Sequence, residues 1–188
     1  MMDWISYISN IDCEIVLFLN GNNNSILDSL MWFISKPVFG VPFYILFIYL
    51  FIKIYNFKSA LIIVILIGFT VGLGDLIAHE IIKENVQRLR PSHNIAISSQ
   101  LNFVNGYRGG AYGFVSNHAT NMFIVGLMVF LMIKKKYPFS WKYLLIFVLI
   151  ISYSRIYLGV HYLTDIIGGW ILGLVLSIVG YKFINKLL

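Results

Sequence analysis

The sequence predicts an all-α fold, a polytopic helix bundle embedded in a membrane. Three observations predict it. Of 188 residues, 59% are hydrophobic and only 12% charged, a charged fraction about half that of a soluble domain. Apolar runs near the length that crosses a hydrocarbon core, about 20 residues, recur between short polar turns. Lysines gather at alternate ends of those runs. In lipid every backbone polar group must be satisfied internally, so the runs are helices. The mean hydropathy of +0.82 agrees. One domain is expected over residues 1–188, with no repeat or low-complexity linker. It divides into N-terminal interfacial helices (1–36) and a transmembrane core (37–188). The formal net charge of +6 has a distribution that suits a membrane rather than nucleic acid. The single cysteine, Cys13, excludes an intrachain disulfide and a cysteine metal cluster.

Taken in order, residues 1–36 carry Asp3, Asp12, Glu14 and Asp28 among Ile, Leu, Phe and Trp. Their apolar runs, Ile15 to Leu19 and Ile26 to Ile34, are short for a span and flank Asn20-Gly-Asn-Asn-Asn24. Two amphipathic helices at the interface are expected there, the alternative being one irregular first span. A cleaved signal peptide is not, because Met1 to Trp4 lacks a basic region. The spans then run from about Val38 to Ile54, Ala60 to Ile82, Asn117 to Ile133, Trp141 to Tyr157 and Tyr162 to Ile184. The second and fifth carry Gly68/Gly72 and Gly169/Gly173, small-residue pairs suited to close helix packing. A long polar loop, residues 84–115, lies between the second and third spans. A loop of that length is usually either functional or disordered.

Alternating helices fix the sides. Lys53, Lys58, Lys134, Lys135, Lys136, Lys142, Lys182 and Lys186 share one face, which the positive-inside rule makes cytoplasmic. Lys36, Lys83, Arg88, Arg90, Arg108 and Arg155 fall on the other and need a different reason. Three polar patches meet at that face: Lys83 to Pro91, Val115 to His118, and Ser154 to Asp165. Ionisable groups at the mouth of apolar segments are costly and therefore usually functional. Lys83, Arg90 and Arg155 are cations, Ser116 a hydroxyl donor, and Asn117 opens a helix whose free N–H groups suit an anion. With His118 and His161 they describe a phosphate site. Asp165 lies four residues after His161, on one face of a helix. It can hold the proton on one ring nitrogen and leave the other as a nucleophile. His118 has no such neighbour and suits general acid–base work.

These patches resemble the motifs of the type 2 phosphatidic acid phosphatase family. That family carries Lys-x6-Arg-Pro, Pro-Ser-Gly-His and Ser-Arg-x5-His-x3-Asp. Lys83 to Pro91 matches the first, and Ser154, Arg155, His161 and Asp165 match the third. In the second, Ser116 and His118 remain, while Val115 and Asn117 replace Pro and Gly. The resemblance covers roughly residues 58–175. It implies that Lys83, Arg90, Ser116 and Arg155 bind phosphate, with Asn117 beside them. It also implies His161 as nucleophile, His118 as acid and Asp165 as its orienting group. His79 lies one α-turn from Asp75 and Lys83; either it buttresses Lys83, with Asp75, or it simply sits at the interface. Arg88 is expected to be a solvated charge or a lipid head-group contact.

The expected function is hydrolysis of a lipid phosphate or pyrophosphate through phosphohistidine, with no cofactor and no metal. The partners are a lipid substrate and membrane lipids, with no nucleic acid. A phosphotransferase would use the same residues. A zinc site from His79, His118, His161 and Asp165 lacks the short His-x3-His spacing and would place a cation among cations. A lipid carrier or channel would explain the spans but not the His–Asp spacing opposite a second His. The expected location is a bacterial cytoplasmic membrane, with the site facing outside.

Overall fold

Helix boundaries follow the polar punctuation of the sequence. The computed structural model describes residues 4–188, so Met1 to Asp3, the start of the first expected helix, lie outside the described residues. The helices are α1 (Trp4–Gly21), α2 (Ser25–Ile34), α3 (Pro37–Ile54) and α4 (Phe57–Leu76). The last continues through a π-helical turn (Ile77–Lys83) into α5 (Glu84–Val86). After the long loop come α6 (Asn117–Ile133), α7 (Ser140–Tyr157) and α8 (Leu163–Leu187). Their starts have physical reasons. Asn24 caps α2 by accepting from the N–H groups of Ile26 and Leu27, and Pro37 opens α3 without wasting a donor.

Among the described residues three helices are long and apolar enough to cross a membrane: Pro37–Ile54, Phe57–Val86 and Leu163–Leu187. They leave Ile45, Leu61, Ile65, Ile171 and Val179 exposed, as a lipid-facing surface requires. α6, apolar but 17 residues long, is the central helix, packed on α3, α4, α7 and α8. Its Ile124, Met128 and Val129 meet Phe51, Ile63, Leu144 and Leu176 in one buried cluster. The α6–α8 contact is close because Gly169 and Gly173 lie under it. A Cβ there would sit 2.8 Å from the Ser116 carbonyl and 2.9 Å from that of Thr120. Gly68 and Gly72 differ from expectation: nothing lies within 4 Å of a Cβ at either. Gly74 takes that part instead, against Ile124 and Thr120.

The N-terminal helices are tied down by polar groups. α1 buries Asp12, Val16 and Asn20, one stripe at four-residue spacing, and turns Trp4, Ile8 and Phe18 outward. Asn20 donates to the carbonyls of Asn102 (2.9 Å) and Tyr157 (2.7 Å), and accepts from the Asn102 N–H (2.7 Å). Asp28 of α2 accepts from the Tyr157 hydroxyl at 2.7 Å.

The π turn changes the register of the second span. Gly74 and Ala78, four apart, are buried, and the next buried residue is Lys83, five further on. That step is the i→i+5 period of a π-helix, a feature frequent at functional sites. It carries Lys83 inward and leaves His79 outside. The His79 side chain is 61% exposed and pairs with Glu80 at 3.0 Å. The expected support of Lys83 by His79 is therefore corrected: α-helical spacing does not hold through this turn.

Candidate active site

The site is built at one end of the bundle, where α5, α6, α7 and α8 begin or end. α7 stops after Arg155, and Gly159 turns the chain with φ +68°, a conformation that favours glycine. The turn brings His161 up against the start of α8. Asp165, in the first turn of α8, accepts at Oδ2 from the Tyr162 N–H (3.0 Å), half of a helix-capping arrangement. The same Oδ2 faces His161 Nδ1 at 3.4 Å. On the other side of the ring, Nε2 lies 3.0 Å from Arg90 Nη1. A guanidinium only donates, so Nε2 carries the lone pair and Nδ1 the proton. Both side chains of the His–Asp pair are sealed from solvent. Burial, then the charges of Arg90, Arg155 and Lys83, hold the His161 imidazole well below its ordinary range. It is a neutral ring with its lone pair aimed at a guanidinium.

The cations surround that lone pair. Arg90 is steered by its own loop: Nε donates to the Tyr112 carbonyl (3.0 Å) and Nη1 to that of Val160 (3.1 Å). Its segment is pinned by an antiparallel bridge between Leu89 and Tyr112. Gly113 lets the returning strand lie on the site, since a Cβ there would come within 2.8 Å of Asp165 Oδ2. Arg155 is buried and donates to the Ser35 hydroxyl and to the Tyr107 hydroxyl (3.2 Å), while its Nε has no partner among the described residues. Lys83 donates to Asn117 Oδ1, and Asn117 Nδ2 donates to Asp75 Oδ1 at 2.7 Å. Asp75 thus reaches Lys83 through Asn117, and the residue that replaces the motif glycine orients the lysine. Ser116 caps α6 by accepting from the Ala119 N–H, and its own N–H donates to the Asp165 carbonyl (3.0 Å). His118 lies against the Ser35 backbone.

His118 also opens onto a cavity of about 480 Å³ that runs between α3, α4 and α6. Its wall is apolar, with Phe47, Val64, Ile67, Met122 and Val125, and Ser35 and Lys36 sit at its polar end. Among the described residues no three His, Cys, Asp or Glu side chains cluster as a metal site.

Arg88 departs from expectation. It donates from Nη1 to Asp165 Oδ1 and from Nη2 to Asp12 Oδ2, each at 2.7 Å. The signal was available, because in extended backbone residues two apart share a side, and Arg88 stands two before Arg90. Asp12, Ser35 and Tyr107 gave no signal, for their partners lie 76, 120 and 48 residues away.

A helix bundle with membrane-crossing helices and a buried, cation-ringed histidine defines an integral-membrane hydrolase of phosphate esters. The comparisons agree. The PAP2 superfamily profile matches residues 60–188, and the chain belongs to that family. It is 35% identical over 170 residues to a lipid A 4'-phosphatase of Bacteroides thetaiotaomicron, covering 90% of this chain and 75% of that one. A lipid A 4'-phosphatase of Porphyromonas gingivalis is 34% identical, covering 95% and 75%. The fold is shared with the crystal structure of a transmembrane PAP2 type phosphatidylglycerolphosphate phosphatase from Bacillus subtilis. The TM-score is 0.71 at 21% identity, with 96% of this chain and 87% of that one covered.

Proposed function

We propose that this protein removes a phosphate from a lipid in two steps through phosphohistidine on His161, without a metal, on the extracytoplasmic face of a bacterial cytoplasmic membrane. The observation that supports it most is the position of His161 Nε2, 3.0 Å from Arg90 Nη1, where a bound phosphate would sit among Arg90, Arg155, Lys83 and the N-terminus of α6. Nε2 attacks phosphorus, the P–N bond forms and the bond to the lipid oxygen breaks. His118 gives the leaving oxygen its proton. The charge of a bound phosphate favours the protonated ring it needs for this. Water then attacks phosphorus, His118 takes its proton, and the P–N bond breaks to release inorganic phosphate. Fixed cations and N–H groups meet the transition-state charge.

The lipid chains would lie in the apolar cavity beside His118 while the head group meets the cations. The names of the two curated relatives make a phosphorylated glucosamine lipid of the lipid A type the first substrate to test. The experiment is phosphate release by purified protein from that lipid, a polyprenyl diphosphate, phosphatidylglycerophosphate and phosphatidic acid, beside a chainless phosphate ester. At least one lipid should react, and the chainless ester about tenfold or more slower, having lost remote binding energy. Vanadate should inhibit and EDTA should not. Loss with EDTA that zinc restores would replace this mechanism with a metal one.

Orientation has its own test. Lysine asymmetry supports a cytoplasmic placement of the turn at residues 134–142. In a Cys13→Ser background, Ser99→Cys on the long loop should react with an impermeant maleimide on intact cells. Lys135→Cys should react only after permeabilisation; both native positions are exposed. The reverse pattern would defeat the outward-facing site and leave the chemistry of His161 standing.

A further inference from the structure

We propose that Arg88 is a positioning residue of this site, anchored by Asp12 of α1, which keeps the Asp165 carboxylate ionised and aimed at His161. The inference rests on the role proposed for His161. Nothing in the family motifs assigns either residue, and Asp12 lies outside the matched region, residues 60–188.

The reason is the burial of two carboxylates side by side. Asp165 is 0% and Asp12 1% exposed. A carboxylate removed from water takes up a proton unless a cation and hydrogen bonds hold its charge. Arg88 is the cation in contact with both, at 2.7 Å to each. Its planar fork suits a bridge between two acids in a way one ammonium cannot. The guanidinium also stacks over the Tyr162 ring at 4.2 Å, and its Nη1 reaches the Thr164 hydroxyl at 2.6 Å. Thr164 closes the circuit. Its N–H donates to Asp12 Oδ1 at 3.1 Å and its hydroxyl to Asp12 Oδ2. Asp12 and Asp165 hold Arg88 firmly in its charged form despite burial.

The other groups that face Asp165 do not replace Arg88. His161 and the Tyr162 N–H share Oδ2. Arg90 and Lys83 act on the site through space, but Arg90 is bonded to His161 and two carbonyls, and Lys83 to Asn117. Asp12 opposes ionisation of Asp165. Without Arg88 the buried pair would hold a proton between them. A protonated Asp165 would accept only weakly from Nδ1–H and could donate to Nδ1 instead, a pull that competes with the hold of Arg90 on the Nε2 lone pair and shifts the ring toward carrying its proton on Nε2, the atom that must attack.

The test compares native protein, Arg88→Gln, Arg88→Lys and Asp12→Asn. Two quantities are read: kcat/KM against pH on a lipid that native protein hydrolyses, and the histidine tautomer by nitrogen-15 NMR in detergent. Arg88→Gln should lower kcat about tenfold or more near neutral pH. It should also move the acid limb up by about one pH unit or more, since Asp165 loses its cation. Asp12→Asn removes a neighbouring negative charge, so its limb should move down. Arg88→Lys should stand between native and Arg88→Gln. In the NMR, native His161 should be protonated at Nδ1, and Arg88→Gln should populate the Nε2 form. Unmoved limbs with rates scaled equally at every pH, or an unchanged tautomer in Arg88→Gln, would overturn the proposal. Should native protein release no phosphate from any lipid, the phosphatase reading fails. The tautomer still decides the role of Arg88, and Arg88→Lys and Asp12→Asn provide it if Arg88→Gln does not fold.

Discussion

His161→Ala should abolish turnover, with a fall in kcat on the order of 10⁵-fold or more, the scale seen when a covalent nucleophile is removed. The other groups of the site are engaged elsewhere. His118 faces the cavity beside Ser35, Asp165 is bonded to Arg88 and the Tyr162 N–H, the Ser116 hydroxyl caps α6, and the Ser35 and Tyr107 hydroxyls hold Arg155. The protein should still fold and extract from the membrane as native protein does, because among the described residues the ring has two side-chain hydrogen-bond partners, Arg90 and Asp165, and each keeps other partners. Acid-labile label from a phosphorus-labelled lipid should appear on native protein and be absent from His161→Ala. Label that persists in the variant would move the nucleophile elsewhere. Asp165→Asn should cost less than His161→Ala, since the carboxylate orients the ring and does not react. The pH profile carries the same argument. The His161 pKa is depressed, so the ring stays neutral into acid solution. The acid limb of kcat/KM, which reports free enzyme, should lie below the ordinary imidazole value of about 6.5. A limb at or above that value would contradict a nucleophile ringed by three cations.

Arg90→Lys and Arg155→Lys should each lose about a hundredfold or more in kcat/KM although the charge is kept. Arg90 uses Nε and Nη1 to hold Tyr112, Val160 and the His161 lone pair at once. A lysine ammonium has no fixed fork and would leave at least one buried carbonyl unpaired, at about 1–3 kcal/mol. Arg155 spans the Ser35 and Tyr107 hydroxyls and keeps a buried Nε without a partner among the described residues. That Nε is a buried donor left for a ligand. The measurement is kcat/KM on the best lipid, together with inhibition by vanadate. The two lysine variants should bind vanadate more weakly in step with their loss of activity. Native affinity for vanadate in either variant would remove that arginine from the phosphate clamp.

The sequence is informative where chemistry is local or topology is forced. Asn117 to Ile133 reads as a helix from its polar start and lysine stop, and the structure has the same bounds. His161 and Asp165 read as a pair because four residues is one helical turn. The meeting of Lys83, Ser116, Arg155 and His161 at one end of the bundle follows from alternation of helix direction. Other features were not legible, each for a physical reason. His79 was misplaced because the π turn has no composition of its own; Ile77 to Lys83 looks like any apolar helix end. Gly68 and Gly72 have the spacing of a packing motif, but spacing does not say which face meets a neighbour. Instead Gly68 borders the apolar cavity. Asp12 looked like part of the polar face of an interfacial helix, and Asn20 like the start of a loop. In an apolar surrounding the logic inverts, and α1 turns its polar stripe inward.

That inversion has a consequence for synthesis of the chain. Asn20 takes its partners from residues 82 and 137 positions downstream, and Asp12 takes Thr164, 152 positions downstream. α1 precedes all of these in the chain; Arg88 and Asn102 are its nearer partners, and its buried polar stripe is complete only once Thr164 of α8 is in place. Contacts of such long separation form late and slowly. Docking of α1 onto α7 and α8 is therefore expected to come late in assembly. A nascent chain interrupted before residue 164 would leave the Asp12 carboxylate short of both Thr164 donors on an otherwise apolar helix, a mark by which quality-control proteases could tell an unfinished chain from a finished one.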